Sequence, residues 1–299
     1  MQPTNLRAIV KIAILAKTSP TMMDKQSFKL PFLLAIVSTG ILTTGAQAAS
    51  IAWDGEGSDG IWQTGLNWDT NSVPTAADDV TISNGDTVTY VPGGDLTVDG
   101  GSVTVSGGST LTQTASNWAR INNGTLTLND STFSRAGGNV VLAFNTDNNS
   151  GINAVNSNFS IGGELWFGHN NNTGNQVVSV NLTNSTIDAN GVVGIWFWDT
   201  DAAGNSFSLN INGAGSTVEG RVGRRNTGGS NNAVTWETLW DEGILTYNGS
   251  NAGLFADHFI TSGTAGTGDY TLTSIPEPSS LSLISLVCFG LLMRKHRKP

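Results

Sequence analysis

The apolar residues of this 299-residue chain come in short bursts in which every second residue is apolar. Such bursts occupy residues 80–82, 88–90, 96–98, 103–105, 126–128, 178–182 and 207–211. Gly, Asn and Asp residues separate them. Alternation with a period of two between turn residues is typical of β-strands, and no window of the body has the longer period of an amphipathic helix. The pattern therefore predicts an all-β body.

A four-residue phrase recurs along the body, with Ser in its second position and an apolar residue in its fourth. It occupies residues 108–111, 130–133, 156–159, 184–187 and 215–218, so that its copies begin 22, 26, 28 and 31 residues apart. Two further bursts, joined by Asn- and Gly-rich turns, lie between successive copies. Three short strands per repeat predict a single-stranded, right-handed parallel β-helix in which each repeat forms one coil. A β-sandwich of hairpins is the alternative.

Aromatic clusters stand at both ends of the repeats. Trp53, Trp62 and Trp68 are followed by Pro74 and an Asp-Asp-Val-Thr-Ile run, and this arrangement resembles the beginning of bacterial autotransporter-associated β-strand-repeat solenoids. An open solenoid end needs large side chains to cover it, so the three tryptophans predict an N-terminal cap. A second tryptophan-rich segment predicts the C-terminal cap. The body with its caps is assigned to residues 49–260, and a terminal strand with a linker to residues 261–275.

The N-terminal residues carry the pattern of a secretory signal peptide. Lys25 and Lys29 precede an apolar run that ends in small residues at Ala46 and Ala48. This combination predicts a signal peptide over residues 1–48, cleaved after Ala48. Residues 1–21 precede the natural start of such a signal and are interpreted as an over-extended translation start.

The C-terminal residues 276–299 combine three elements in a fixed order. Pro276, Glu277 and Pro278 lead into an apolar run over residues 279–293, which is short for a membrane-spanning helix. A basic tail follows at Arg294, Lys295, Arg297 and Lys298. These elements resemble the PEP-CTERM sorting signal. The resemblance implies export through the inner membrane, a transient membrane anchor, cleavage by an exosortase-like membrane protease, and delivery to the cell surface or the exopolysaccharide-containing matrix.

The charge of the body excludes a general nucleic-acid binder. Residues 49–278 contain five arginines, no lysine and 22 acidic residues, so the formal balance is 5 − 22 = −17. A protein that binds nucleic acid without sequence preference needs a basic surface instead. The single cysteine, Cys288, lies in the predicted membrane segment, which leaves the body without a disulfide or a thiolate metal site.

Aligning the bursts of neighbouring coils brings a set of aromatic and charged residues together. In the predicted register Leu142, Trp166, Trp196 and Val222 form one column. The predicted carbohydrate-contact residues are Trp166, Trp196, Trp198, His169, Asp199, Arg224 and Arg225. Exposed indole faces stack on sugar rings, and charged side chains bind the hydroxyl or carboxyl groups. The alternative is that the tryptophans fill the solenoid core.

No catalytic motif identifies a reaction, and we expect no enzyme activity. Asp188 with Glu219, or Glu164 with Asp199, offers paired carboxylates of the kind that glycosidases use, so a polysaccharide hydrolase or lyase is the alternative. Asp199 and Asp201 are candidate calcium ligands, and no other cofactor is expected. The sequence thus predicts a structural or adhesive surface protein, and a surface receptor for another protein is the third option.

Overall fold

The computed structural model describes residues 48–91, 94–145, 147–169, 175–189, 194–226 and 231–277. Most of the predicted signal peptide, together with Pro278, the predicted membrane segment and the basic tail, lies outside these residues. Within the described ranges, no helix is long and apolar enough to cross a membrane.

Twenty-three strands, numbered in chain order, form three sheets in the described part of the chain. Sheet 1 contains β1 (Ser50–Ala52), β2 (Asp79–Ile82), β5 (Ser102–Ser106), β8 (Thr125–Asn129), β11 (Asn149–Val155), β14 (Val177–Thr183), β17 (Ser206–Asn212) and β21 (Leu245–Tyr247). Sheet 2 contains β3 (Thr87–Tyr90), β6 (Thr110–Gln113), β9 (Thr132–Arg135), β12 (Asn158–Ile161), β15 (Thr186–Ala189), β18 (Thr217–Gly220), β23 (Thr271–Ser274) and β22 (Phe259–Ser262). Sheet 3 contains β4 (Leu96–Asp99), β7 (Ala119–Asn122), β10 (Val140–Leu142), β13 (Glu164–Phe167), β16 (Gly194–Trp198), β19 (Val222–Arg225) and β20 (Asn231–Ala233).

The chain visits sheets 1, 2 and 3 in turn, so that three successive strands make one coil. The first coil consists of β2, β3 and β4, and the sixth consists of β17, β18 and β19. Each strand pairs in parallel with the strand one coil away; the copies of the repeated phrase are register partners, as between Thr110 and Thr132 or Thr186 and Thr217. The predicted parallel β-helix and its repeat spacing are therefore confirmed, and the β-sandwich alternative is wrong.

The core runs through the middle of the three sheets because alternate residues of each strand point inward. Inward positions are filled by aliphatic and aromatic side chains that stack on their counterparts in the next coil. Phe133 and Phe159 are stacked with ring centroids 4.9 Å apart, and the rings of Phe167 and Phe197 are 4.4 Å apart. All four side chains are fully buried. The coil spacing of about 4.8 Å brings like rings of neighbouring coils into direct contact.

The Ser of the repeated phrase forms a buried hydrogen-bonded column at the corner between sheets 1 and 2. The amide of Ser131 donates to Oγ of Ser157 over 3.1 Å, and the amide of Ser157 donates to Oγ of Ser185 over 3.1 Å. The column continues to Ser216 and to Ser274 of β23. Each hydroxyl thus satisfies a backbone N–H group that faces the interior, which explains why the phrase keeps Ser in this position.

Asparagines bond along the axis on the outer side of the same corner. Asp130, Asn156 and Asn184 all have positive φ, a conformation that Asn and Asp tolerate in turns. Nδ2 of Asn156 donates to Asp130 over 3.1 Å, and Nδ2 of Asn184 donates to Asn156 over 2.9 Å. The abundance of Asn is therefore explained by the stacking of turns.

Both ends of the solenoid are covered by aromatic caps. Trp68 is fully buried, with edge contacts to Trp53 at 5.0 Å and to Trp62 at 4.8 Å, next to a 3-10 helix at Gly65–Asn67. At the other end, helix α1 (Trp236–Asp241) buries Trp236 and Trp240, and a second 3-10 helix spans Phe255–Asp257. Strands β20, β21 and β23 pair with the sixth coil in sheets 3, 1 and 2. Each sheet therefore ends in a strand of the cap, and the terminal strand predicted around residues 270–272 is β23.

Replacing Ser157 by Ala tests the buried column. The substitution removes the acceptor of the Ser131 amide and the donor to the carbonyl of Val155, so we expect the free energy of unfolding to fall by about 1–3 kcal/mol. Thermal unfolding followed by circular dichroism measures this loss. Ser208→Ala, on the half-buried outer face of sheet 1, is the matched control and should change stability little. Equal losses in the two variants would contradict the role of the column.

Candidate functional site on the outer face of sheet 3

The tryptophans singled out in the sequence lie on the outer face of sheet 3. Ile195 and Phe197 of β16 point into the solenoid core, whereas Trp196 and Trp198 belong to a separate apolar cluster outside it. In β13, Trp166 joins the same outer cluster. The strand alternation therefore directs the indoles outward, and they do not fill the solenoid core.

The outward tryptophans are nevertheless covered. Their exposed fractions are 8% for Trp166, 1% for Trp196 and 8% for Trp198. Trp118 contacts Trp166 at 5.2 Å between ring centroids, Trp166 contacts Trp198 at 5.3 Å, and Phe144 packs on the same group. The cluster is a small second core built on the outside of the sheet. Its three central ring systems do not form the open stacking platform that the sequence suggested.

The register of this face differs by one residue from the sequence expectation. Trp166 and Trp196 are partners as predicted, but Trp166 pairs with Val141 and not Leu142, and Trp196 pairs with Gly223 and not Val222. The connections from sheet 2 to sheet 3 contain four, two, four and one residues in coils three to six, so simple alignment of the bursts fails.

Gly223 is the position that makes room for the Trp196 ring. A Cβ atom at Gly223 would lie 2.4 Å from that ring. Two residues further along β19, the same register places Arg225 beside Trp198.

Arg225 closes the cluster through both its charge and its planar face. Its guanidinium makes a bidentate ion pair with Glu164, in which Nη1 lies 2.7 Å from Oε2. The guanidinium carbon lies 4.1 Å from the ring centroid of Trp196 and 5.5 Å from those of Trp166 and Trp198. Nε1 of Trp166 also donates to Glu164, over 2.5 Å. The carboxylate of Glu164 is therefore neutralised and hydrogen-bonded by its neighbours.

His169 lies against the same aromatic group at the end of the sheet. Its ring centroid is 4.2 Å from that of Phe144 and 5.6 Å from that of Trp166, and the residue is 5% exposed. Burial, reinforced by the positive charge of Arg120, lowers the pKa of His169 to about 4. The imidazole is therefore neutral at physiological pH, and its ring packs against the aromatic cluster.

Three residues at the more exposed edge of this cluster were missed in the sequence. Trp118 and Phe144 are half-buried, and the guanidinium carbon of Arg120 lies 5.4 Å from the ring centroid of Trp118 and 4.4 Å from that of Phe144. Arg120 also pairs with Asp95 over 2.6 Å. We call Trp118, Arg120 and Phe144 the front edge. The alternation Trp118-Ala119-Arg120 was the available signal, since it places both large side chains on one face.

The structure separates Arg224 and Asp201 from the tryptophan cluster. Arg224 makes an ion pair with Glu242 and lines a cleft of about 410 Å³ between the sixth coil and the C-terminal cap. Asp201 lines this cleft too, whereas Asp199 follows β16 in a positive-φ turn. Within the described ranges, no three His, Cys, Asp or Glu residues are grouped as a metal site. Calcium binding by Asp199 and Asp201 stays a prediction.

The candidate catalytic carboxylates are divided between faces. Asp188 and Glu219 are register partners on the outer face of sheet 2, as predicted, while Glu164 lies in the sheet 3 cluster. The pair on sheet 2 has a strand-to-strand spacing of about 4.8 Å and lies on the face of a continuous sheet.

Breaking the Arg225–Glu164 pair should destabilise the solenoid strongly. Arg225→Met leaves a buried carboxylate without its cation, and we expect a loss of about 3–5 kcal/mol. The double variant Arg225→Met/Glu164→Gln should recover part of it. Arg221→Met is the matched control, because Arg221 also lies over Trp196, at 5.0 Å, and is in none of the ion pairs of the described residues. Thermal unfolding and tryptophan fluorescence compare the variants; an equal loss in the control would contradict the assignment.

The low pKa of His169 predicts a pH dependence with a definite sign. The folded state keeps the imidazole neutral down to about pH 4, while the unfolded chain takes up a proton near pH 6.5. The free energy of unfolding should therefore decrease as the pH falls from about 6.5 to 4, and His169 should contribute no slope above this window. Proton NMR titration of the imidazole gives the folded pKa directly, and His169→Gln should flatten the slope. A titration midpoint near 6.5 in the folded protein would contradict the burial.

Sheet 3 thus presents one closed aromatic cluster with a partly exposed front edge, carried on a regular six-coil scaffold. No protein-family model, no curated protein and no solved structure matches this chain.

Proposed function

We propose that the protein is a structural or adhesive component of the cell surface or extracellular matrix. The observation that supports this most is the closure of the solenoid: a continuous stack of six coils, covered at one end by a tryptophan cap and at the other by β20, β21 and β23. Capped solenoids are rigid rods that expose long, repetitive faces. Such a rod suits a protein that spaces or attaches other molecules.

The state of the carboxylates supports a non-catalytic role for these faces. Glu164 is buried and is held by Arg225 and Trp166, so its carboxylate is not presented to a substrate. The alternative, a polysaccharide hydrolase or lyase, has its best support in the adjacent pair Asp188 and Glu219. The two carboxyl groups of a retaining glycosidase are about 5–5.5 Å apart, close to one strand spacing. The pair is therefore the one to test for catalysis.

Glycan contact is proposed at the front edge, not at the buried tryptophans. Trp118 and Phe144 are the aromatic residues of this cluster that are only half-buried, and Arg120 lies against both. An indole face packs against the C–H groups of a sugar ring, and a guanidinium binds its hydroxyl or carboxylate groups. Exopolysaccharide is the partner that this chemistry suits.

The location of the protein is proposed from its termini. The signal-peptide pattern before Ala48 and the Pro276-Glu277-Pro278 sorting motif support export through the inner membrane, transient anchoring, and release at the surface by an exosortase-like protease. The strongly acidic, disulfide-free body suits a soluble extracellular product. We also propose a right-handed sense for the coil, because parallel crossover connections are right-handed in nearly all proteins.

Binding to polysaccharides tests the proposed function. The full chain in mild detergent, with calcium or with a chelator, is incubated with immobilised acidic and neutral polysaccharides, and both retention and released oligosaccharides are measured. We expect retention without products. Trp118→Ala should weaken retention about two- to tenfold, the loss expected when a stacking ring contributes about 0.5–1.5 kcal/mol. Leu66→Ala is the control, since Leu66 is an exposed apolar residue of the N-terminal cap and lies outside the front edge.

Two results would overturn parts of this proposal. Release of shorter products that disappears in Asp188→Asn and Glu219→Gln would identify a glycosidase on sheet 2. Retention that is lost equally in the Leu66 control would show that the front edge is not the contact surface.

A further inference from the structure

The outer face of sheet 2 carries a regular array of small hydroxyl and amide side chains. In the first four coils, two outward residues of each strand form two columns that run along the solenoid axis. Their members are Thr87, Thr89, Thr110, Thr112, Thr132, Ser134, Asn158 and Ser160. All are half-buried or exposed. We call these eight residues the hydroxyl array.

The pairing of β3, β6, β9 and β12 makes the array a lattice without a slip in register. Thr87, Thr110, Thr132 and Asn158 are successive partners in one column, and the other column keeps the same register. Neighbouring coils are about 4.8 Å apart, and alternate residues of a strand are about 6.6 Å apart. The array therefore repeats in two dimensions with fixed periods.

The hydroxyl array has no charge, although the body has a formal balance of 5 − 22 = −17. Charged residues enter these columns only in the fifth and sixth coils, at Asp188 and Glu219. At the rim, Asp130 is engaged by the amide of Asn156. The array therefore offers no charged side chain to an ionic or calcium-bridged ligand. It can instead bind a neutral surface that donates and accepts hydrogen bonds.

The side-chain hydrogen-bonding groups of the array are available to an outside ligand. In the described part of the chain, none of the eight forms a side-chain hydrogen bond to another residue. Asparagines on sheet 1 behave differently: Asn181 donates to Asn153 over 2.9 Å, and Asn210 donates to Asn181 over 3.2 Å. High β-propensity explains why Thr occurs in strands, but it does not explain the absence of charge over four coils.

We propose that the hydroxyl array binds an ordered water lattice, which is the surface of ice. Each hydroxyl can donate one hydrogen bond and accept two, so it can bond to a lattice in which every water molecule donates two hydrogen bonds and accepts two. Rigid hydroxyls at fixed spacing order the first water layer at little entropic cost, since the side chains need not move to meet it. The two periods of the array are of the same order as the oxygen repeats in planes of ice. This activity is independent of the front edge on sheet 3.

Partition into growing ice tests the proposal. The full chain in mild detergent is frozen slowly from one side, and its concentration in the ice is compared with that of a non-binding protein of similar mass. A nanolitre osmometer records crystal shape and freezing hysteresis in parallel. We expect enrichment in the ice and faceted crystals. Thr112→Lys/Ser134→Lys places two charges in the middle of the array, on partner residues of adjacent coils, and should abolish both effects.

The matched control is Thr104→Lys/Thr127→Lys, which places the same charges on partner residues of the same two coils in sheet 1. It should keep both effects, and both variants should retain the circular dichroism spectrum and melting temperature of the parent. Exclusion of the parent protein from ice, or equal losses in the two double variants, would overturn the proposal. So would retention on crystalline cellulose or chitin that depends on sheet 2 while ice excludes the protein, because the occupant would then be a neutral glycan.

Discussion

The rest of the structure depends on one constraint, the parallel stacking of each coil on the previous one at a single strand spacing. Because every strand pairs with its counterpart one coil away, each side chain meets the equivalent side chain of the next repeat. Side chains that interact well with copies of themselves are therefore selected. Each Ser hydroxyl accepts from the Ser amide of the preceding coil, Asn184 donates to Asn156 of the preceding coil, and Phe159 stacks on Phe133.

The same constraint shapes the electrostatics of this acidic body. Stacked carboxylates repel each other, and only short acidic columns such as Asp188 with Glu219 occur among the sheet pairs. Four of the five arginines of the body lie in sheet 3 or directly before β19, whereas Arg135 is buried at the end of β9 in sheet 2. Three of the four pair with carboxylates, and three lie over aromatic rings. A cation–π contact needs a ring as well as a charge, and Arg120, Arg221 and Arg225 lie on the same face as the outer tryptophans. The outer face of sheet 3 consequently forms a second apolar core, and the front edge is its half-exposed part.

The three faces of the rod have different chemistry although they share one backbone geometry. Sheet 1 carries asparagines that bond to one another, and sheet 3 carries aromatic rings with arginines. Sheet 2 carries the hydroxyl array, whose side chains form no hydrogen bonds to other residues in the part of the chain that the structure describes. Caps at both ends cover the core of the stack with aromatic side chains. The front edge on sheet 3 and the hydroxyl array on sheet 2 can therefore meet different partners without competing for space.

The sequence by itself determined the all-β class, the coil repeat, the aromatic caps and the register of sheet 2, because period-two alternation and the Ser phrase report local geometry directly. It could not determine the register of sheet 3. Connections of one to four residues shift Trp196 onto Gly223, and spacing alone does not show which length each corner takes. Nor could it show that outward tryptophans are buried. That depends on Trp118, Val141 and Arg225 arriving from other coils to cover them, and only the tertiary structure brings those residues together.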